Sequence, residues 1–301
     1  MNKIVIVGCG NVGMAYAYSL VMNGAGVDEL VLIDINQDKA QGEAMDLNHA
    51  LSYSGKNMKV FAGDYSDCGD ATLVVLTAGR NQDVGETRND LVHKNYEVFS
   101  SIISEINKTS FEGIYLVATN PVDIMSLITL KLSGFASNRV IGSGTTLDTA
   151  RLRFLAGQEL QISPNNIHGY VIGEHGDSEL IPWDSVTVGL NPISSMLSSA
   201  QKNQIALDVK NSAYDIIEKK GSTSYGIGAC LLKITKAILQ NENTIMSVSC
   251  YDGKYDICYS MPAIINRQGI RECIDLKLTK ADSESLKNSI KILQNVKNEL
   301  L

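Results

Sequence analysis

An apolar run, Ile4–Val7, leads straight into Gly8-Cys9-Gly10-Asn11-Val12-Gly13, and a helical pattern follows over Val12–Met22. Short uncharged runs of this kind suit strands buried on both faces, so the opening reads as strand, glycine-rich turn, helix. A second apolar run, Leu30–Ile33, ends on Asp34, 21 residues after Gly13. That is a βαβ unit with the spacing of a dinucleotide-binding fingerprint. Gly8 permits the tight turn, Gly10 lets a pyrophosphate approach the backbone, and Gly13 lets helix and strand pack closely. The diphosphate then meets the helix N-terminus at Asn11 and Val12. Asp34 is positioned to accept hydrogen bonds from ribose hydroxyls and to repel a 2′-phosphate, which favours NAD over NADP. Glycine clusters also mark ordinary turns; the strand before this one and the helix after it argue for the functional reading.

The same rhythm continues. Apolar runs recur at Lys59–Ala62, Leu73–Thr77, Tyr115–Thr119 and Val140–Ile141, with helical stretches between several of them, notably Arg88–Asn107. The expected fold class is α/β, a doubly wound (Rossmann) parallel sheet with right-handed crossovers. In such a sheet the strand C-termini deliver cofactor contacts, here Thr77-Ala78-Gly79, Thr119-Asn120 and Ser143. After about residue 142 the pattern changes to longer helices with β-rich pieces at Gly169–Ile172, Ser185–Val188, Thr244–Ser249 and Cys258–Met261. The expected domains are therefore 1–142, binding the dinucleotide, and 143–301, a mixed α+β substrate domain, with a helix near 225–243 packing back on the first. At the C-terminus, Leu286, Ile290, Leu293, Val296 and Leu300 recur at helical spacing, with Thr279 or Asp282 as the cap.

With 301 residues, a net charge of −7 and no extended basic run, the chain argues against a nucleic-acid partner. It has no apolar run long enough for a membrane span and no signal-peptide pattern, so the expected location is the cytoplasm. Six cysteines form no C-x-x-C pair and no Cys/His cluster of zinc spacing. They read as reduced thiols, and no metal is expected.

Two further segments carry chemistry. His175 lies in Gly173-Glu174-His175-Gly176-Asp177, where an imidazole can titrate near neutrality and carry a proton. Asp148 and Arg151 stand at i and i+3, so one helix face presents both. The carboxylate can orient and charge the imidazole, and the guanidinium can grip a carboxylate substrate bidentately. The bland alternatives are a satisfied core histidine and a surface ion pair worth a few tenths of a kcal/mol (roughly 0.3).

Taken in order, G-C-G-N-V-G at 8–13, N-Q-D-V-G-E-T-R at 81–88, T-N-P-V-D at 119–123, L-D-T-A-R at 147–151, G-E-H-G-D at 173–177 and G-S-T-S-Y-G at 221–226 resemble the lactate/malate dehydrogenase family nearly end to end. The resemblance implies an NAD-dependent oxidoreductase of glycolysis and fermentation. It implies that His175 is the acid/base, Asp148 its partner, and Arg151 the grip on the substrate carboxylate. It further implies that Arg88 closes on a lid formed by 81–87 and polarises the carbonyl, and that Asn120 hydrogen-bonds near carbonyl and nicotinamide.

The residue six before the lid arginine is the family's specificity position. Malate-type members carry arginine there, whereas this chain has Gln82, as lactate-type members do. A neutral amide leaves the distal carboxylate of oxaloacetate unpaired, at a cost of about 3–5 kcal/mol. Thr223 is implied to face the substrate methyl. Pyruvate/lactate is thus the expected substrate pair. A broader L-2-hydroxyacid (2-hydroxyisocaproate-like) or malate dehydrogenase, and a catalytically idle NAD-binding redox sensor, are the alternatives. Arg80, Asp83 and Val84 depart from the residues usual in the lid. Arg153 and His168 match positions where bacterial members bind fructose 1,6-bisphosphate between subunits, and the resemblance implies a homotetramer.

Overall fold

The computed structural model describes residues 1–80 and 88–300. Five parallel strands follow the predicted rhythm: β1 Lys3–Val7, β2 Glu29–Ile33, β3 Lys59–Ala62, β4 Leu73–Leu76 and β5 Ile114–Val117. A sixth, β6, spans Val140–Gly142. Between them run α1 Asn11–Asn23, α2 Gln37–Ser54, α3 Arg88–Ile106 and α4 Val122–Ser133. Alternate residues of each strand feed opposite cores. Ile4 and Ile6 face α1 and α2 residues such as Leu20 and Leu47, while Val5 and Val7 face the side of Phe99, Ile103 and Ile128. This two-sided burial is why the strands carry no charged residue except at their ends.

The second half begins with α5, Thr146–Leu160. Three two-residue strands, β7 Ile167–His168, β8 Thr187–Val188 and β9 Asn191–Pro192, form a small separate sheet. Then come α6 Ser199–Lys220 and α7 Tyr225–Leu239. β10 Thr244–Asp252, β11 Ile257–Asn266, β12 Gly269–Cys273 and α8 Lys280–Leu300 complete the chain. Among the described residues, the main sheet has nine strands in the order β12-β11-β10-β6-β5-β4-β1-β2-β3. The last three are antiparallel and join the parallel six through the pair Ser249–Gly142. The second half therefore extends the first half's sheet as well as adding its own.

α7 packs on α1. Gly228 lies so close to the Ala15 and Tyr16 backbone that a Cβ would collide with it, and the Tyr16 hydroxyl shares a 2.6 Å hydrogen bond with Thr235 Oγ1. Thr279 Oγ1 accepts from the Asp282 N–H at 3.1 Å and donates to the Asp282 carboxylate, so the two candidate caps of α8 act together.

The structure corrects one element. Gly169–Ile172 is not a strand; β7 lies just before it, and only Ile172 makes an isolated bridge, to Leu180. Side chains take the groups a neighbouring strand would use. The Val171 N–H donates to Thr149 Oγ1, and its carbonyl accepts from Thr145 Oγ1 and Ser247 Oγ. β9 and β12 lack a sequence signal because one is two residues long and the other ends in exposed charge.

Candidate active site

The glycine turn and the exits of β4 and β5 interlock by hydrogen bonds. Gly8 N–H donates to Ile33 O and Ala78 N–H to Val7 O, both at 2.8 Å; Thr77 Oγ1 donates to Gly8 O at 2.7 Å and Thr119 Oγ1 to Ala78 O at 2.6 Å. Gly8 has φ +107°, and a Cβ there would land on the Ala78 backbone; one at Gly13 would land on the Gly8 carbonyl. At Gly10 a Cβ would meet nothing within 4 Å. Gly10 is also the N-cap of α1, and no side chain caps the helix. The result is open space over backbone N–H groups at a helix N-terminus, and a dinucleotide's diphosphate fits it. At the end of β2, the half-buried Asp34 accepts the Cys9 N–H at 2.7 Å and the Asn36 N–H at 2.9 Å.

Below this cradle a cleft of about 680 Å³ is lined by Val12, Thr77, Gly79, Thr119 and Asn120 from the first half. From the second half it is lined by Asp148, Arg151, His175, Glu179, Lys210 and Tyr214. Asp148 is the hub. On the first turn of α5, its side chain is only 2% exposed, and it divides its oxygens between two partners. Oδ2 meets His175 Nδ1 at 2.6 Å, while Oδ1 accepts from Arg151 Nη1 at 2.7 Å. The His175 main chain is fixed separately, its N–H donating to Asp123 Oδ2 at 2.7 Å. Asp123 Oδ1 in turn accepts from Ser249 Oγ, so α4 and β10 both brace the histidine turn.

These contacts set the charges. Burial alone favours a neutral ring at His175, but the charge and hydrogen bond of Asp148 outweigh it and raise the imidazole to about 9. Burial opposes ionisation of Asp148 too, yet His175 and Arg151 together hold its carboxyl below the ordinary value. Glu179 moves the other way. Burial first, and then the Asp148 charge, push it up to about 8. Asp148, His175 and Glu179 bring ligand atoms within 4.8 Å of one another. Because both Asp148 oxygens already serve cations, the group is built to hold protons.

Among the other candidate residues, Ser143 is buried, its N–H donating to Val117 O; Asn120 is exposed in the cleft, its carbonyl accepting from Asn95 Nδ2. Asn11 Nδ2 donates to Ser222 Oγ across the two halves at 3.2 Å. Thr223 is half-buried beside that contact and is not among the residues lining the cleft. Gln82 and the Arg88 side chain lie outside the described residues. Arg153 faces away from Arg151. Its guanidinium donates to Gly169 O at 3.2 Å and stacks over Tyr170, 5.5 Å from the ring, next to the exposed His168.

Sequence reasoning missed Asp123, Asn95 and Glu179. Asp123 did have a signal: it is the acid in an otherwise uncharged buried run, Val122–Leu130. Asn95 is fully buried on α3, its Oδ1 accepting from the Arg80 N–H, so it ties the β4 and β5 exits together. Glu179 carries only its position four residues after His175.

Comparison with known proteins matches residues 2–142 to the lactate/malate dehydrogenase NAD binding domain and residues 145–301 to the lactate/malate dehydrogenase alpha/beta C-terminal domain. The L-lactate dehydrogenase of Halalkalibacterium halodurans is 49% identical over 299 residues, covering 98% of this chain and 96% of its own. L-lactate dehydrogenase 2 of Bacillus anthracis is 47% identical over 304 residues, with the same coverage. Among solved structures, the ligand-bound minor L-lactate dehydrogenase of Enterococcus mundtii superposes with a TM-score of 0.97 at 43% identity, covering 100% of this chain and 98% of that one. A lactate dehydrogenase from a Medee basin deep-sea metagenome gives 0.96 at 45%, covering 99% and 98%.

Proposed function

The chain belongs to the lactate/malate dehydrogenase family, and on that premise we propose that it is an NAD-dependent L-lactate dehydrogenase interconverting pyruvate and L-lactate. The observation that carries the mechanism is the shared Asp148 carboxylate, which holds a proton-bearing imidazole and a guanidinium side by side in the cleft. We take residues 1–142 as the NAD-binding unit and 143–301 as the substrate unit.

When bound, the reduced nicotinamide supplies the hydride that the keto carbon accepts. The chain's residues do the rest. Arg151 spends one N–H on Asp148, and its other donors take the substrate carboxylate. With its Nδ1–H donated to Asp148, the protonated His175 has Nε2–H left to give to the keto oxygen. Asp148 fixes the ring orientation and stabilises its charge, and Arg88 polarises the carbonyl. Asn120 adds a hydrogen bond near the carbonyl. Gln82 sets the preference for the substrate methyl.

An assay of NADH oxidation at 340 nm with pyruvate, oxaloacetate and 2-ketoisocaproate tests the substrate. Pyruvate is expected to dominate, and Gln82→Arg to shift preference towards oxaloacetate. Preference for another acid in the native enzyme would overturn the pocket, and NADH binding without turnover would favour an idle sensor. The proposal extends to a cytoplasmic homotetramer in which Arg153 and His168, doubled by symmetry, hold a phosphate of fructose 1,6-bisphosphate. Adding the sugar bisphosphate at micromolar enzyme is expected to lower the half-saturating pyruvate concentration; an unchanged value removes the regulatory reading.

A further inference from the structure

Away from the cleft, two thiols stand against each other. Cys250 is buried on β10, 4% exposed, whereas Cys273 ends β12 and is exposed. β11 separates their strands in the sheet order, yet the two Sγ atoms are only 3.0 Å apart. On β11, Cys250 stands opposite Tyr259 and Cys273 opposite Ala263. At the start of β12, Gly269 abuts the Asn138 carbonyl, and Asn138 Nδ2 donates to Gln268 O at 2.9 Å. We propose that Cys250 and Cys273 are a redox-active dithiol that a peroxide closes to an intramolecular disulfide joining β10 to β12.

A disulfide has sulfurs about 2.05 Å apart, so bond formation must bring these two sulfurs about 1 Å closer than their 3.0 Å separation. Burial assigns the roles, because a peroxide can reach Cys273 and not Cys250. The electrostatics agree with that assignment. The hydrogen bond between the two sulfurs lowers Cys273 below the ordinary thiol value. The same bond, followed by burial, holds Cys250 well above it. The other cysteines, Cys9, Cys68, Cys230 and Cys258, are all buried.

The chemistry balances without a further reactant. The Cys273 thiolate attacks one peroxide oxygen; the S–O bond forms, the O–O bond breaks, and the hydroxide released leaves as water with the Cys273 proton. The Cys250 sulfur then attacks the sulfur of the resulting sulfenic acid. The S–S bond forms, the S–O bond breaks, and the hydroxyl leaves as a second water with the Cys250 proton. Two thiols lose two electrons, and one peroxide becomes two waters. A dithiol reductant reverses the link by exchange.

The test uses the full chain. It is treated with hydrogen peroxide, alkylated under denaturing conditions and read by intact mass and peptide mapping. The expected result is that two of the six thiols escape alkylation and that the chain before alkylation is about 2 Da lighter, with the Cys250 and Cys273 peptides linked and dithiothreitol restoring both. Cys273→Ser, an exposed change, is expected to abolish the loss. Three results would overturn the proposal: Cys273 oxidised to sulfinic acid while Cys250 stays alkylatable; a link to Cys258 or to a second chain; or six intact thiols at a dose that oxidises the exposed Met1.

Discussion

Asp148 explains why three motif residues work as one unit. A buried carboxylate is costly unless paired, and here two cations pair it, so removing either leaves the others wrongly charged. Arg151→Lys keeps the charge but loses the planar fork, which both holds Asp148 and faces the cleft. The pyruvate KM is expected to rise about 100-fold, the worth of roughly 2–3 kcal/mol for a charge-assisted pair, with NADH affinity unchanged in a fluorescence titration. An unchanged KM would remove Arg151 from substrate binding. His175, Asp148 and Arg151 were legible because helix spacing and a glycine-flanked turn are local features. Glu179 was not, since its burial and the Asp148 charge beside it come from segments distant in sequence; Asp123 stood out as an acid in an otherwise uncharged run, but its partners, Ser249 and the His175 turn, are distant too.

Among the elements, the β1–α1 turn is where sequence and structure agree most closely, because each glycine has its own geometric reason. That separation can be measured. Gly13→Ala drives a Cβ into the Gly8 carbonyl, so it is expected to destabilise the fold by about 1–3 kcal/mol in urea unfolding. Gly10→Ala meets only open space, so stability is expected to hold while NADH affinity falls at least tenfold, by about 1.4 kcal/mol or more. Equal effects of the two on stability would mean that the space over Gly10 is not the diphosphate site. The long buried strands were equally legible. Gly169–Ile172 was not, because hydroxyls of Thr145, Thr149 and Ser247 replace the neighbouring strand, and no pattern within the segment announces them.

For the whole molecule, nine strands in one sheet and α7 packed on α1 hold the two halves of the cleft in register. The sequence announced a parallel sheet and a change of rhythm near 142, but not that β10–β12 would continue the same sheet, since strand order is a long-range property. Proton uptake is also a global property. Asp123, Glu179 and His175 have folded values of about 6, about 8 and about 9, against ordinary values of 3.8, 4.5 and 6.5. Each binds its proton more tightly when folded, so each contribution is complete below its ordinary value and lost as pH rises through its folded one. Asp148, held low, works in the opposite sense: its contribution is complete above its ordinary 3.8 and is lost as pH falls through its lower folded value. The melting temperature is therefore expected to decline from pH 5 to about 9; a rising or flat profile would contradict these assignments.

The measurement that bears most directly on the central claim is the pH dependence of kcat/KM for pyruvate in the native enzyme and in Asp148→Asn. The native rate needs protonated His175, so it should persist to about pH 9 before falling, while the variant, without the carboxylate charge, should fall nearer 6.5. A shared midpoint in the two proteins would show that Asp148 does not set the proton affinity of His175, and the account of the active site would fail.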